Sequence, residues 1–135
     1  IEEDQAVLEA MLGALRPGGG VVLTVPQHPR LWSRQDEYAC HVRRYRAGEL
    51  REKVIRAGFK VRFETCFVSL LLPVMAASRM VQRDAAGDSD PLAELRMPVL
   101  LNRLFGGVMK GEHLLIRCGA RFPAGGSLML VATKS

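Results

Sequence analysis

The sequence predicts an α/β fold in a single domain that spans residues 1–135. Two observations near the amino terminus lead to this prediction. Apolar residues recur at helical spacing over residues 3–15, and the run over Val21–Val25, apolar almost without alternation, is typical of a strand that is covered on both faces. Between them, Pro17 and the glycines at 18–20 end the helix and turn the chain back. These elements make half of a βαβ unit.

The next elements follow in order. Residues 31–38 are predicted to form one or two helical turns, and residues 47–57 form an amphipathic helix that ends at Gly58. The inward residues of that helix are Leu50, Val54, Ile55 and Ala57. Phe59–Thr65 alternates strictly: Phe59, Val61 and Phe63 are expected to face one side, and the charged residues between them, Lys60, Arg62 and Glu64, the other. This pattern predicts a half-exposed strand at a sheet edge.

Two apolar helices are predicted before the last strand. Residues 66–83 form a mostly buried helix kinked at Pro73, and residues 100–118 form an amphipathic helix. Residues 84–91 are predicted to be a flexible acidic loop between them. The final strand, Ser127–Thr133, is apolar on both faces and is therefore expected inside the sheet.

Composition excludes several classes of protein. The net charge of +5 fits an anionic ligand or partner but is too small to indicate a nucleic-acid-binding protein. The apolar run over residues 66–83 is shorter than the roughly 20 residues that span a bilayer. The three cysteines form no CxxC pair, so neither disulfides nor a metal site is indicated and a cytoplasmic location is expected.

Three motifs resemble class I S-adenosylmethionine-dependent methyltransferases of the type 11 group. Leu15-Arg16-Pro17-Gly18-Gly19-Gly20, followed by Val21–Val25, is similar to the turn and fifth strand of that family. His41-Val42-Arg43-Arg44-Tyr45, then Glu49-Leu50 and Ala57-Gly58-Phe59, resembles the segment that follows in many bacterial members. Residues 123–133 are similar to the last strand of the family.

The resemblance implies a partial Rossmann-like methyltransferase sheet. Its strand order would be 5-7-6, with the last strand antiparallel between its neighbours, and residues 66–120 would form a helical substrate cap inserted between the last two strands. The implied cofactor is S-adenosylmethionine. However, no glycine-rich loop follows a strand here, since Gly18–Gly20 precedes one. The chain is therefore expected to be the carboxyl-terminal part of a methyltransferase, inactive and without tight donor binding in isolation, and no cofactor-binding residue is assigned.

Six residues are candidates for the acceptor site, because ligands of open α/β sheets bind beyond the carboxyl ends of parallel strands. A neutral imidazole of His41 or His28 could act as the base, and arginines could bind an anionic acceptor. The candidate substrate-binding residues are Trp32, Arg43, Arg44 and Tyr45. An apolar acceptor could instead lie along residues 67–77.

Structural roles compete with each of these assignments. Either histidine could serve only the loop that carries it. Arg43 and Arg44 could pair with the acidic side chains of Asp36, Glu37 or Glu49. Trp32 and Tyr45 could pack as core, as could residues 67–77.

The predicted function is methyl transfer to a small-molecule acceptor, anionic or apolar, in the intact protein. The alternative is a non-enzymatic interaction module. In that case, the apolar Val21–Val25 strand would present a free sheet edge and pair with a second copy of the chain. A protein bound at a membrane surface through residues 66–83 is disfavoured, because that run has no lysine-rich polar face.

Overall fold

The computed structural model describes residues 3–84 and 98–135. Within these ranges the chain is a mixed α/β structure with one three-stranded sheet. A single 3-10 turn, Pro29–Leu31, follows the first strand. The elements in chain order are α1 (Asp4–Ala14), β1 (Gly20–Pro26), α2 (Arg34–Tyr38), α3 (Glu49–Arg56), β2 (Phe59–Phe67), α4 (Leu72–Asp84), α5 (Val99–Arg117) and β3 (Ser127–Lys134).

The last strand lies in the middle of the sheet. The strand order is β1-β3-β2, and β3 is antiparallel to both neighbours, so β1 and β2 run parallel to each other. Leu130 of β3, for example, faces Leu23 of β1 on one side and Glu64 of β2 on the other. The predicted interior position of the last strand is confirmed.

The main core lies on one face of the sheet, beneath α1 and α3. The β3 residues on this face are almost fully buried, and the side chains of Leu8 and Val54 pack against them from the helices. The core residues on β3 are Leu128, Leu130 and Ala132. The prediction that Val21–Val25 is covered on both faces is wrong, because Val22, on the opposite face of β1, is 65% exposed.

Strand β2 does not keep the alternation that its sequence suggests. The pairing with β3 shifts between Val61 and Phe63, which makes a β-bulge at Arg62. Beyond the bulge, Glu64 and Cys66 lie opposite Leu130 and Leu128 and therefore take the core face, while Phe63 lies on the other face. The predicted division of this strand into an apolar and a charged side is thus wrong after Arg62.

Helix α3 is shorter than predicted, and one residue predicted to face the core is exposed. It begins after Gly48, whose φ of 79° is in the left-handed region, and it ends before Ala57. Leu50 and Val54 are buried as predicted, but Ile55 is 52% exposed. The inward-facing stripe is therefore narrower than the apolar residues suggest.

The first apolar segment, residues 66–83, also differs from the prediction, whereas α5 closely matches the helix predicted over residues 100–118. Residues 66 and 67 complete β2, and the helix begins only at Leu72, so Pro73 lies in its first turn and not at a kink. Proline fits there because the first turn of a helix needs no N–H from that residue. The predicted loop beyond Asp84, residues 85–91, lies outside the described residues. Within the described ranges, no helix is long and apolar enough to cross a membrane.

Candidate functional site

The candidate site forms where β1 ends and a later loop returns beside it. Tyr45 N donates to Pro26 O (2.9 Å) and His28 N donates to Tyr45 O (3.0 Å), which makes a short parallel bridge between Gln27 and Tyr45. This bridge brings the His41–Tyr45 motif to the carboxyl end of β1. Two segments that are 13 or more residues apart in the sequence are thereby joined at the edge where ligands of parallel strands bind.

His28 is held in an unusual conformation at this edge. Its φ of 62° is in the left-handed region, which costs free energy for a residue with a Cβ atom. Its Nε2 atom is buried and has no hydrogen-bond partner among the described residues. The side chain lines a cavity of about 650 Å³ between the 3-10 turn and α4, together with Arg46, Leu72 and Ala76. A strained histidine with an unpaired ring nitrogen therefore faces a cavity of ligand size.

Asp36 organises the rest of the loop. Its side chain is 1% exposed, and its carboxylate accepts hydrogen bonds from Ser33 N (3.0 Å) and Arg44 Nε (2.9 Å) and lies 3.0 Å from His41 Nδ1. Burial by itself raises the pKa of the Asp36 carboxyl, but the hydrogen bonds from His41 and Arg44 outweigh it and lower the pKa below its ordinary value. The carboxylate consequently stays charged and fixes the orientation of the imidazole.

His41 is the more accessible of the two histidines. Its side chain is 42% exposed, and the contact to Asp36 uses Nδ1, so Nε2 has no partner among residues 3–84 and 98–135. His41 lines a second cavity, of about 360 Å³, between α1, β1 and the 40–45 loop. His28 and His41 thus line different cavities. Each remains a candidate for the base.

Arg44 forms hydrogen bonds to three separate segments of the chain. Besides its bond to Asp36, its Nη1 atom donates to Gln27 O (3.0 Å) and to Gly126 O (3.4 Å). The side chain is 8% exposed, so its donors are used inside the protein. In this conformation Arg44 holds the site in place and does not face solvent.

Arg43 and Tyr45 meet a carboxylate from the first helix. Asp4 accepts hydrogen bonds from Arg43 Nη2, from Tyr45 OH (2.6 Å) and from Lys53 Nζ (2.7 Å). Burial by itself raises the pKa of the Asp4 carboxyl, but the bonds from Lys53, Tyr45 and Arg43 hold this pKa far below its ordinary value of 3.8. Burial, with Asp4 beside the phenol, raises the pKa of Tyr45. Arg43 also binds Glu49 (2.6 Å) and stacks over the Tyr45 ring.

Trp32 lies at the rim of this region, half-buried, with Nε1 donating to Glu37 Oε1 (3.3 Å). Asp36 and Glu49, which the sequence offers as partners for the arginines, pair with Arg44 and Arg43 respectively. Asp4 and Lys53 were not predicted as part of this cluster. The spacing of Asp4 and Leu8 was an available signal, because residues four apart share one face of a helix and an acid on the buried face needs a partner.

The glycine turn before β1 has a structural role in this fold. Gly18 N donates to Lys134 O (3.2 Å), Lys134 N donates to Gly19 O (2.8 Å), and Lys134 Nζ caps the end of α1 by donating to Leu12 O and Leu15 O (2.9 Å each). The turn is therefore closed by hydrogen bonds to β3. Among the described residues, no group of three or more His, Cys, Asp or Glu side chains is arranged to hold a metal ion.

Comparison of the chain with models of known families and with curated proteins finds no match.

Proposed function

We propose that this chain is the acceptor-binding part of a cytoplasmic S-adenosylmethionine-dependent methyltransferase with a Rossmann-like sheet. The observation that carries the proposal is the position of β3, antiparallel between two strands that are parallel to each other. The resemblance in the sequence implies this same arrangement for the last three strands. The order and direction of the strands thus agree with motifs that were identified independently of them.

The carboxyl end of β1 supports an acceptor site. The cavity beside His28 is about 650 Å³, which is in the range of small-molecule sites, and the helix α4 of the expected cap forms one wall through Leu72 and Ala76. Apolar residues of α4 with Arg46 at the rim suit an acceptor that has an apolar body and an anionic group. The donor is proposed to bind to other segments of the intact protein, since the described residues offer no loop that fits it.

We assign the base to His41 and its orientation to Asp36. The buried carboxylate holds Nδ1 at 3.0 Å, so Nε2 is the atom that would accept a proton. Because His41 and His28 line different cavities, the reacting group of the acceptor would lie in the cavity of about 360 Å³ that His41 lines, and the rest of the acceptor in the cavity of about 650 Å³ that His28 lines. Arg43, Arg44 and Tyr45 would hold the loop, and Trp32 would lie at its rim.

Calorimetry with S-adenosylmethionine tests the division of the donor and acceptor sites. The chain of residues 1–135 is expected to give no saturable binding, whereas a polypeptide that also includes the residues encoded upstream of Ile1 should bind at micromolar concentration. Micromolar binding to residues 1–135 alone would contradict the proposal. An upstream reading frame without a strand and a glycine-rich loop would contradict it as well.

Methyl transfer by the longer polypeptide tests the base. His41→Gln should lower kcat by about 100-fold or more, because general bases contribute roughly that much. His113→Gln, on the exposed surface of α5, is the matched control and should keep full activity. Equal activity of both variants would remove His41 from the proposed role.

A second candidate function is dimerisation through β1. Among the described residues, β1 pairs only with β3, apart from the bridge at Gln27, so its outer edge has unpaired backbone groups over Gly20–Val25. Exposed Met11, Val22 and Val42 lie on or beside this strand. Size-exclusion chromatography with light scattering distinguishes a monomer from a dimer paired through β1. A monomer at tens of micromolar would argue against edge pairing.

A further inference from the structure

The outer side of α5 presents apolar side chains at the surface of the protein. Four leucines of this helix are between 47% and 80% exposed, and we call them the leucine face. They are Leu100, Leu104, Leu114 and Leu115. At 3.6 residues per turn they lie on one side of the helix, with Gly107 and Gly111 between the two pairs. None of these residues is a candidate site residue.

A row of positive charges runs beside the leucine face. Arg103, Lys110 and Arg117 are spaced seven residues apart, which is close to two helical turns, so they align along α5. All three are exposed. Glu112 is the one acidic residue of this helix, and it is 1% exposed and lies on the opposite side. The exposed surface of α5 therefore carries positive charge and no negative charge.

The inner side of α5 fixes the rotation of the helix. Glu112 accepts hydrogen bonds from Ser69 N and Leu70 N, and Phe105 and Ile116 on the same side are half-buried. With this side held against the rest of the protein, the leucine face and the basic row point outward.

The combination of leucines and basic residues matches the surface of an anionic lipid bilayer. A helix that lies in the bilayer interface buries leucines at the boundary of the acyl chains and keeps Lys and Arg at the level of the headgroups. The basic row of α5 lies about a quarter turn from the centre of the leucine face, so the helix can make both contacts at once.

A second copy of the chain matches this surface less well. Antiparallel pairing of two leucine faces places the two basic rows side by side, where the like charges repel. Parallel pairing places each basic row beside leucines of the other copy. Neither arrangement supplies a negative charge, whereas the phosphate groups of anionic lipids do.

We propose that α5 docks the protein on the surface of a membrane that contains anionic lipids. The leucine face enters the boundary between headgroups and acyl chains, and the basic row binds lipid phosphates. The helix lies on the membrane and does not cross it. This role belongs to α5 and not to residues 66–83, which contain only two basic residues.

Flotation of the purified chain with liposomes tests this role. Phosphatidylcholine vesicles with about 30% phosphatidylglycerol should carry the wild type to the top of a density gradient, and vesicles of phosphatidylcholine alone should not. Leu104→Ser and Leu114→Ser should each weaken binding to the anionic vesicles roughly tenfold, because each removes buried apolar area. Lys110→Gln should weaken it about fivefold.

Two exposed residues of α3 provide matched controls. Ile55→Ser removes an exposed apolar side chain, and Arg56→Gln removes a positive charge, both outside α5. Each should change vesicle binding by less than about twofold. All five substitutions are at exposed or half-exposed helical positions, and circular dichroism should show the wild-type fold for each variant.

The proposal is overturned if the wild type does not float with anionic vesicles, if it floats equally with neutral ones, or if the α3 controls weaken binding as much as the α5 variants. Light scattering without lipid tests the rival occupant. A dimer that Leu104→Ser converts into a monomer would assign the leucine face to a second copy and would also overturn the proposal. These experiments need no methyl donor, so their results do not depend on the function proposed above.

Discussion

The carboxylate of Asp36 lies 3.0 Å from Nδ1 of His41 and accepts a 2.9 Å hydrogen bond from Nε of Arg44. One buried acid thus fixes two residues of the motif that identified the candidate site. The Asp36 side chain is 1% exposed, and hydrogen bonds from these neighbours and from Ser33 compensate its buried charge. The orientation of the imidazole and the position of the loop depend on the same carboxylate.

Replacing Asp36 by asparagine should destabilise the protein by about 3 kcal/mol, because it leaves the guanidinium of Arg44 buried without its counter-charge. Urea denaturation measures this difference. Glu37→Gln, on the same helix but exposed, should change the free energy of unfolding by no more than about 0.5 kcal/mol. Similar losses in the free energy of unfolding of the two variants would mean that the buried pair of Asp36 and Arg44 does not stabilise the protein.

The protein should lose stability in acid because of Asp4. Its pKa in the folded state lies below the ordinary value of 3.8, so as the pH falls the unfolded chain takes up this proton first. The contribution of Asp4 to the free energy of unfolding is therefore complete above about pH 4 and decreases below it. Urea denaturation over a series of pH values should show this decrease.

Asp4→Asn should reduce that acid-dependent loss, and it should lower stability at neutral pH because Lys53 and Arg43 lose their shared partner. Glu9→Gln, exposed on the same helix, should leave the pH profile unchanged. A wild-type pH dependence in Asp4→Asn would exclude Asp4 as its source.

Replacing His28 by glycine should remove the backbone strain at this position. Glycine adopts a φ of 62° without the steric cost of a Cβ atom, so His28→Gly should raise the free energy of unfolding by about 1 kcal/mol. His28→Ala also removes the imidazole but keeps the Cβ atom, and it should give no such gain. If both variants destabilise the protein equally, contacts of the imidazole outweigh the strain.

Glu112 should hold α5 against the segment that follows β2. It is 1% exposed, and its Oε2 atom accepts from Ser69 N and Leu70 N, both at 2.8 Å. Glu112→Ala should speed hydrogen exchange of these two amides and lower stability by about 2 kcal/mol, since the amides lose a charged acceptor. His113→Ala is the exposed control. Unchanged exchange at Ser69 and Leu70 would contradict this role.

Local patterns predicted the elements best where short-range chemistry decides them. The helix before Pro17, the strand after Gly20 and the interior last strand all form, because apolar periodicity and turn residues act over only a few positions. The candidate site was predictable only in part. The motif at 41–45 identified the loop, and its arginines pair with the nearby Asp36 and Glu49 as the sequence suggests, but Asp4, the other partner of Arg43, comes from a distant segment.

The sequence by itself determined an α/β chain with a buried final strand, because uninterrupted apolar residues have to be covered. Only the tertiary structure decided which side chains share a face and which charges meet. A single extra residue at Arg62 turned Glu64 toward the core side, and chain folding brought Asp4 to Arg43, 39 positions away. Bulges and long-range ion pairs depend on the packing of the whole chain, and local periodicity contains no information about them.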